Sequence, residues 1–264
     1  MMSIVTVGLL SCQNNDDNNP TPNTNCKLTG FVSDDEEYIL SYAGRFISKY
    51  QYAEINGSNE TSTLSYNGDS LLVSVRYQST DFGNYIDSFI YDSNKRLVNH
   101  ITYGTNALFT TKVFDSREVF VYNASNQIIV QRDSTADSPR TAVIKNNTYQ
   151  NNRLFTTYSY TYDYDEAEAF DYRRDTVFYT STPNNLLNIY KLPSYVFMDY
   201  YFEPFNADLL VSEIRGTLLD DSGNKIGSDI FKYTYTFDNG KIVKIIENDN
   251  GFNDEFIRFL YTCE

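Results

Sequence analysis

The sequence predicts an all-β protein, an antiparallel meander of repeated hairpins with about 14–16 strands that forms a large curved sheet or a barrel. Three observations carry this expectation. Aromatic and polar residues alternate at the strand period, as in Phe231, Tyr233, Tyr235 and Phe237 against Lys232, Thr234 and Thr236. A similar unit recurs about every 24 to 32 residues: an aromatic residue, a polar turn, then an aliphatic residue that opens a new alternating stretch. The chain holds 24 Tyr and 18 Phe, side chains that fit a pleated, half-buried surface better than a helix.

The first element is not part of that sheet. Ile4 to Leu10 is a short apolar run ending in Leu9-Leu10-Ser11-Cys12, a lipobox pattern in which a small residue precedes the cleavage point. Residues 1–11 are expected to be a lipoprotein signal peptide and Cys12 the lipidated residue. Met1-Met2-Ser3 lacks the usual basic residue, so the true start codon is expected further upstream. Residues 12–25 are rich in Asn, Asp, Pro and Thr, cannot bury enough apolar surface to order themselves, and read as a disordered tether. Residues 26–264 are expected to be one repeated-hairpin β domain.

Within that domain the units follow in order. They are Tyr42 to Phe46, Tyr66 to Leu71, Tyr91 to Leu97, Tyr122 to Ile128, Tyr149 to Leu154, Tyr179 to Leu186, Phe205 to Leu209 and Phe237 to Ile242. Asn-Gly, Ser-Asn and Asn-Asn at the tips tolerate the positive φ that tight turns require. Eight hairpins imply about sixteen strands. Only Asn188 to Phe202, interrupted by Pro193, is expected to hold a helical turn.

The formal net charge of −14 repels phosphate backbones and anionic lipid heads, so nucleic acid is not an expected partner and membrane contact is expected through the lipid alone. With Cys12 lipidated, Cys26 and Cys263 remain at the two ends of the body. In an oxidising compartment they are expected to form a disulfide joining the first and last strands, the alternative being two separate buried thiols.

Catalytic signatures are sparse. His100 is the single histidine, and simple alternation through Leu97, Asn99 and Ile101 puts it on the sheet surface. No Gly-x-Ser-x-Gly, Gly-x-Gly-x-x-Gly or phosphate-loop pattern is present. No cofactor is expected, and no catalytic residue is assigned. The acidic loop of Asp163, Asp165 and Glu166 is a weak calcium candidate and otherwise a solvated loop. Tyr158, Tyr160 and Tyr162 share one strand face, and their flat rings and hydroxyls suit a sugar or peptide, unless the row is sheet packing.

The Tyr-Asp or Phe-Asp turn followed by Asn or Gly, a basic residue and Leu or Ile, at Tyr91 to Leu97 and Phe237 to Ile242, resembles the YD (RHS-type) repeat. Together with the lipobox and tether, the layout resembles uncharacterised lipoproteins of Bacteroidota whose repeat domain is described as porin-like. That resemblance implies a fold and an outer-membrane location, surface-exposed or facing the periplasm, and offers no catalytic residues. A transmembrane barrel would show similar strands, but the faces opposite the aromatics carry Lys232, Lys244, Arg258 and Asp163. The leading expectation is therefore a non-enzymatic, lipid-anchored protein that binds a glycan or peptide. The alternative is a structural or assembly partner of an outer-membrane complex, and a carboxylate-based hydrolase comes third.

Overall fold

The computed structural model describes residues 26–33, 36–54, 59–79, 83–136, 140–184, 208–249 and 251–263. The expectations for residues 1–25, including Cys12, and for the helical turn at 188–202 lie outside them. Among the described residues sixteen strands follow one another. They are β1 (Cys26–Ser33), β2 (Glu36–Ala43), β3 (Phe46–Glu54), β4 (Asn59–Tyr66), β5 (Leu72–Ser79), β6 (Asn84–Tyr91), β7 (Leu97–Thr105) and β8 (Lys112–Tyr122), then β9 (Ile128–Thr135), β10 (Thr141–Gln150), β11 (Arg153–Asp163), β12 (Glu168–Pro183), β13 (Leu209–Leu219), β14 (Lys225–Asp238), β15 (Lys241–Asp249) and β16 (Phe252–Cys263). Each pairs antiparallel with the next, and β16 pairs with β1, so the meander closes into a barrel. Closure removes the unpaired edges that an open sheet of this size would expose.

The turns form for local reasons. Asn67, Asp92, Asn123 and Asp220 each accept two backbone N–H groups on Oδ1, from the residues two and four positions on. The residue three positions on is left-handed in each case: Ser70, Lys95, Asn126 and Gly223. An Asx side chain stabilises this type I turn with its following left-handed residue. Asn151-Asn152 and Asn239-Gly240 have positive φ at both positions, the two-residue hairpin turn that matches strand twist. Two of the expected hairpins, Tyr179 to Leu186 and Phe205 to Leu209, run into residues 185–207, which lie outside the described residues. β12 pairs with β13 through Tyr179 opposite Val211 and Pro183 opposite Leu209.

The repeat has a geometric core that spacing alone does not reveal. Every odd-numbered strand slips register by one residue just after an aliphatic residue near its start: Leu28, Ile47, Leu72, Leu97, Ile128, Leu154, Val211 and Ile242. Each of those residues accepts, on its backbone carbonyl, a hydrogen bond from a tyrosine hydroxyl on the next strand. The donors are Tyr42, Tyr66, Tyr91, Tyr122, Tyr149, Tyr179, Tyr235 and Tyr261, at 2.7–3.0 Å. Eight bulges and eight hydroxyls thus form a belt around one end of the barrel. In the unit expected to end at Phe237, the donor is Tyr235, one pleat earlier, and Phe237 is largely exposed. Burial pushes the hydroxyls of Tyr66, Tyr91 and Tyr261 up to about 12, so they remain donors through any physiological pH. Tyr91→Phe is expected to cost about 1 kcal/mol by leaving the Leu72 carbonyl without this donor, read as a lower urea midpoint at unchanged slope.

Behind the belt the barrel is plugged. Leu28, Leu40, Leu64, Val75, Val177, Val211, Ile242, Ile245 and Ile257 belong to one buried cluster drawn from strands on both sides of the barrel. The outward positions instead carry Arg76, Arg117, Arg132, Arg174 and Arg258, all exposed. Charges at these outward positions do not match the apolar outer band a bilayer demands.

Candidate functional site

Two arrangements stand apart from the plug. The first lies on the outer face of β10, β11 and β12. Leu154 points into the plug, but the bulge after it shifts the alternation, so Thr157 faces inward to Asn147 while Tyr158, Tyr160 and Tyr162 face outward. The structure brings all three residues of the expected row together on one face and adds Tyr172 from β12. Ring centroids are 6.0 Å apart for Tyr158–Tyr160, 6.2 Å for Tyr158–Tyr172 and 6.1 Å for Tyr160–Tyr172. Tyr162 meets Tyr164 edge-on at 5.2 Å. Opposite Tyr162 and Tyr160 in register are Ala142 and Ile144, which are buried on this outer face without belonging to the central cluster. The rings therefore sit on an apolar floor and are only half-buried themselves. Such a platform can stack a flat, partly apolar ring and hydrogen-bond its substituents. Sequence reasoning missed Tyr172 because its neighbours Asp171 and Arg173 break the tyrosine run, and only pairing with β11 brings it alongside.

The second arrangement is a polar belt inside the barrel. The Tyr77 hydroxyl donates to Asp87 Oδ2 at 2.6 Å and the Thr102 hydroxyl to Asp87 Oδ1 at 2.8 Å. His100 Nε2 lies 3.3 Å from Asp87 Oδ1, and His100 Nδ1 lies 2.7 Å from Glu118 Oε2. Gln131 donates to Glu118 Oε1 at 2.9 Å, and Lys145 Nζ lies 3.4 Å from Asp133 Oδ2. Arg173 continues the belt, holding Asp175 at 2.8 Å and Asp229 through two nitrogens at 2.8 and 3.0 Å. The expectation that His100 is a surface residue is overturned. The bulge after Leu97 reverses the alternation and turns the imidazole inward, where its ring stacks on Phe89 at 4.8 Å.

The electrostatics follow from burial and pairing. Burial alone would lower the His100 pKa, but the hydrogen bonds and charges of Asp87 and Glu118 outweigh it and raise the value to about 9. Burial raises Asp133 to about 6, against the attraction of Lys145 and with the repulsion of Glu118. Since the described donors already occupy Asp87 and Glu118, this belt is suited to holding a buried positive charge rather than to passing protons to a substrate. Gly216 makes room for its last link. A Cβ there would collide with the Asp229 carboxylate and the Arg173 guanidinium. Gly216→Ala is expected to separate that bidentate pair and cost about 1–3 kcal/mol, measured by denaturant unfolding.

The remaining expected site residues are placed as follows. Cys26 is the direct cross-strand partner of Cys263 in the β1–β16 register. Asp163 Oδ1 accepts the N–H groups of Asp165 and Glu166, and Asp165 pairs with Arg140 at 2.9 Å. Among the described residues no group of three or more His, Cys, Asp or Glu side chains is placed to hold a metal ion.

No family model matches the chain, and no curated protein matches it. Solved structures do. A porin-like protein from Bacteroides vulgatus superposes with a TM-score of 0.55 at 12% identity, covering 88% of this chain and 97% of that one. A porin-like protein from Bacteroides uniformis matches at 15% identity over 93% of this chain and 99% of that one, with a TM-score of 0.34. A TcdB2-TccC3-Cdc42 complex matches at 16% identity over 88% of this chain and 11% of that one, with a TM-score of 0.27. The first likeness establishes the porin-like barrel fold, and at that identity it extends no further than the fold.

Proposed function

We propose that this protein is a lipid-anchored, non-enzymatic binding module of the bacterial outer membrane, and that the outer tyrosine platform takes up a glycan. The carrying observation is the cluster of Tyr158, Tyr160 and Tyr172 over Ala142 and Ile144, an aromatic surface on the outside of the barrel wall. Its test is an array of glycans, cell-wall fragments and peptides probed with the full-length chain in detergent. A reproducible glycan hit lost on Tyr160→Ala supports the reading. A hit confined to peptides would reassign the ligand, and a blank array from folded protein would overturn the binding role.

The anchor reading rests on the lipobox, and the fold adds an orientation. β1 begins at Cys26 on the plugged end, so an anchored N-terminal segment would join the barrel at that end. Cys12→Ser is expected to abolish incorporation of a labelled fatty acid. The acidic surface favours neither nucleic acid nor anionic lipid. We further propose that Cys26 and Cys263 are bonded, since directly opposed residues of antiparallel strands have the Cα separation a disulfide needs. A kinship with YD-type repeats is proposed on the turn motifs at Tyr91 to Leu97 and Phe237 to Ile242. The assembly-partner reading draws on Leu108, Ile226 and Phe252, exposed apolar side chains at or beside hairpin tips on the end opposite the plug. Crosslinking in the native membrane would favour it if a single outer-membrane protein is captured through those tips.

A further inference from the structure

The tyrosine platform has arginines beside it on the same face. On the outer face of β9 to β13 lie Arg132, Arg174 and Arg215, the last tied to Glu213, while the charges of Asp221 and Glu168 act on Tyr172 at the tip end of the platform. Arg174 is the direct cross-strand partner of Tyr158. Arg132 is opposite Ile144, which is opposite Tyr160, so it lies two strands from the row. Both are exposed, and among the described residues neither enters an ion pair. This stands out in a chain of net charge −14. The carboxylates of the hairpin tip, Asp165, Glu166 and Glu168, lie beyond Tyr162, so the row runs from an acidic end to a basic one.

We propose that the ligand of this platform is an acidic glycan, whose ring face stacks on Tyr158 and Tyr160 and whose carboxylate is held by the Arg174 guanidinium. This rests on the glycan-binding reading above and narrows it. A planar guanidinium with no ion-pair partner among the described residues matches a carboxylate through two parallel hydrogen bonds. An aromatic ring beside it selects for a ligand that is apolar on one face and charged at one edge. Arg132, two strands away, extends the positive field along a polymeric ligand and steers its approach over an otherwise repulsive surface.

The test uses the full-length protein in detergent micelles with three probes: a tetragalacturonate, its fully methyl-esterified form and a neutral cello-oligosaccharide of equal length. The tetragalacturonate is expected to bind at least 10-fold more tightly than its ester. Arg174→Gln is expected to remove that difference while leaving the unfolding midpoint unchanged, and Arg76→Gln, an exposed outward arginine on β5, is expected to leave it intact. Tyr160→Ala is expected to abolish binding of every probe that binds. Equal binding of the acid and its ester, both lost on Tyr160→Ala, would overturn the acidic specificity and leave the glycan reading standing. Failure of all three probes to bind the folded protein overturns the proposal, and the array then decides the broader reading independently.

Discussion

Replacing His100 with alanine is expected to destabilise the barrel by about 3–5 kcal/mol. The imidazolium lies between Asp87 and Glu118, and all three side chains are nearly shut off from solvent. Removing it leaves two carboxylates uncompensated in the barrel interior. His100→Gln, which keeps hydrogen-bonding capacity without charge, is expected to cost less. Glu118→Gln introduced into His100→Ala is expected to recover part of the loss, and a double-mutant cycle by urea unfolding measures the coupling. The pH dependence has a definite sign. The folded pKa of about 9 lies above the unfolded value of 6.5, so the stabilisation is fully present below about pH 6.5 and is lost as pH rises through 9. Wild-type stability is expected to fall by on the order of 3 kcal/mol across that window, with the His100→Ala curve nearly flat there. Asp133 acts in the same direction at lower pH. Its folded value of about 6 exceeds the unfolded one, so its contribution is lost as pH rises through 6. A wild-type curve that rises between pH 7 and 9 would contradict this account of the belt.

Reduction of the proposed Cys26–Cys263 bond is expected to lower stability by up to about 5 kcal/mol on the chain-entropy model, because the closed loop contains every strand of the barrel. Cys26→Ser and Cys263→Ser should each match the reduced wild type, and the double variant should lose nothing more. The site is also where the meander closes, since β1 and β16 are the first and last strands of the barrel. Long-range pairing of this kind forms at the greatest loop-closure cost, so the bond should affect the unfolded state more than the native one. Two free thiols in unfolded, non-reduced protein would dispose of the idea.

Much of the fold was legible in the sequence. The anchors Tyr42, Tyr66, Tyr91, Tyr122, Tyr149 and Tyr179 are each found at the end of an even-numbered strand or near it, and the sixteen-strand count follows from hairpin chemistry that acts over five or six residues. The Tyr158, Tyr160 and Tyr162 row was equally visible as a period of two. Local signals carry such features because turns and alternation depend on near neighbours. The hydroxyl belt was not legible, since its acceptors lie 14 to 25 residues away and are backbone atoms. Nor were Tyr172 and the Arg174 beside Tyr158, which pairing between β11 and β12 alone brings to the platform.

What the sequence determined by itself is that each strand has two unlike faces and that the chain turns back on itself at regular intervals. Which face is the inside was decided only by tertiary structure. The rows on β11 and β14 look alike along the chain, yet Tyr233 is buried in the central cluster while Tyr158 and Tyr160 face outward. Alternation from Leu154 would send Tyr158 inward, and alternation from Leu97 would send His100 outward. One bulged residue after each aliphatic residue reverses both. Because the strand period is two, a slip of one residue exchanges the faces completely. The slip is held in place by a tyrosine on a neighbouring strand, so the choice between a buried histidine and a surface one belongs to the closed barrel and not to any segment of it.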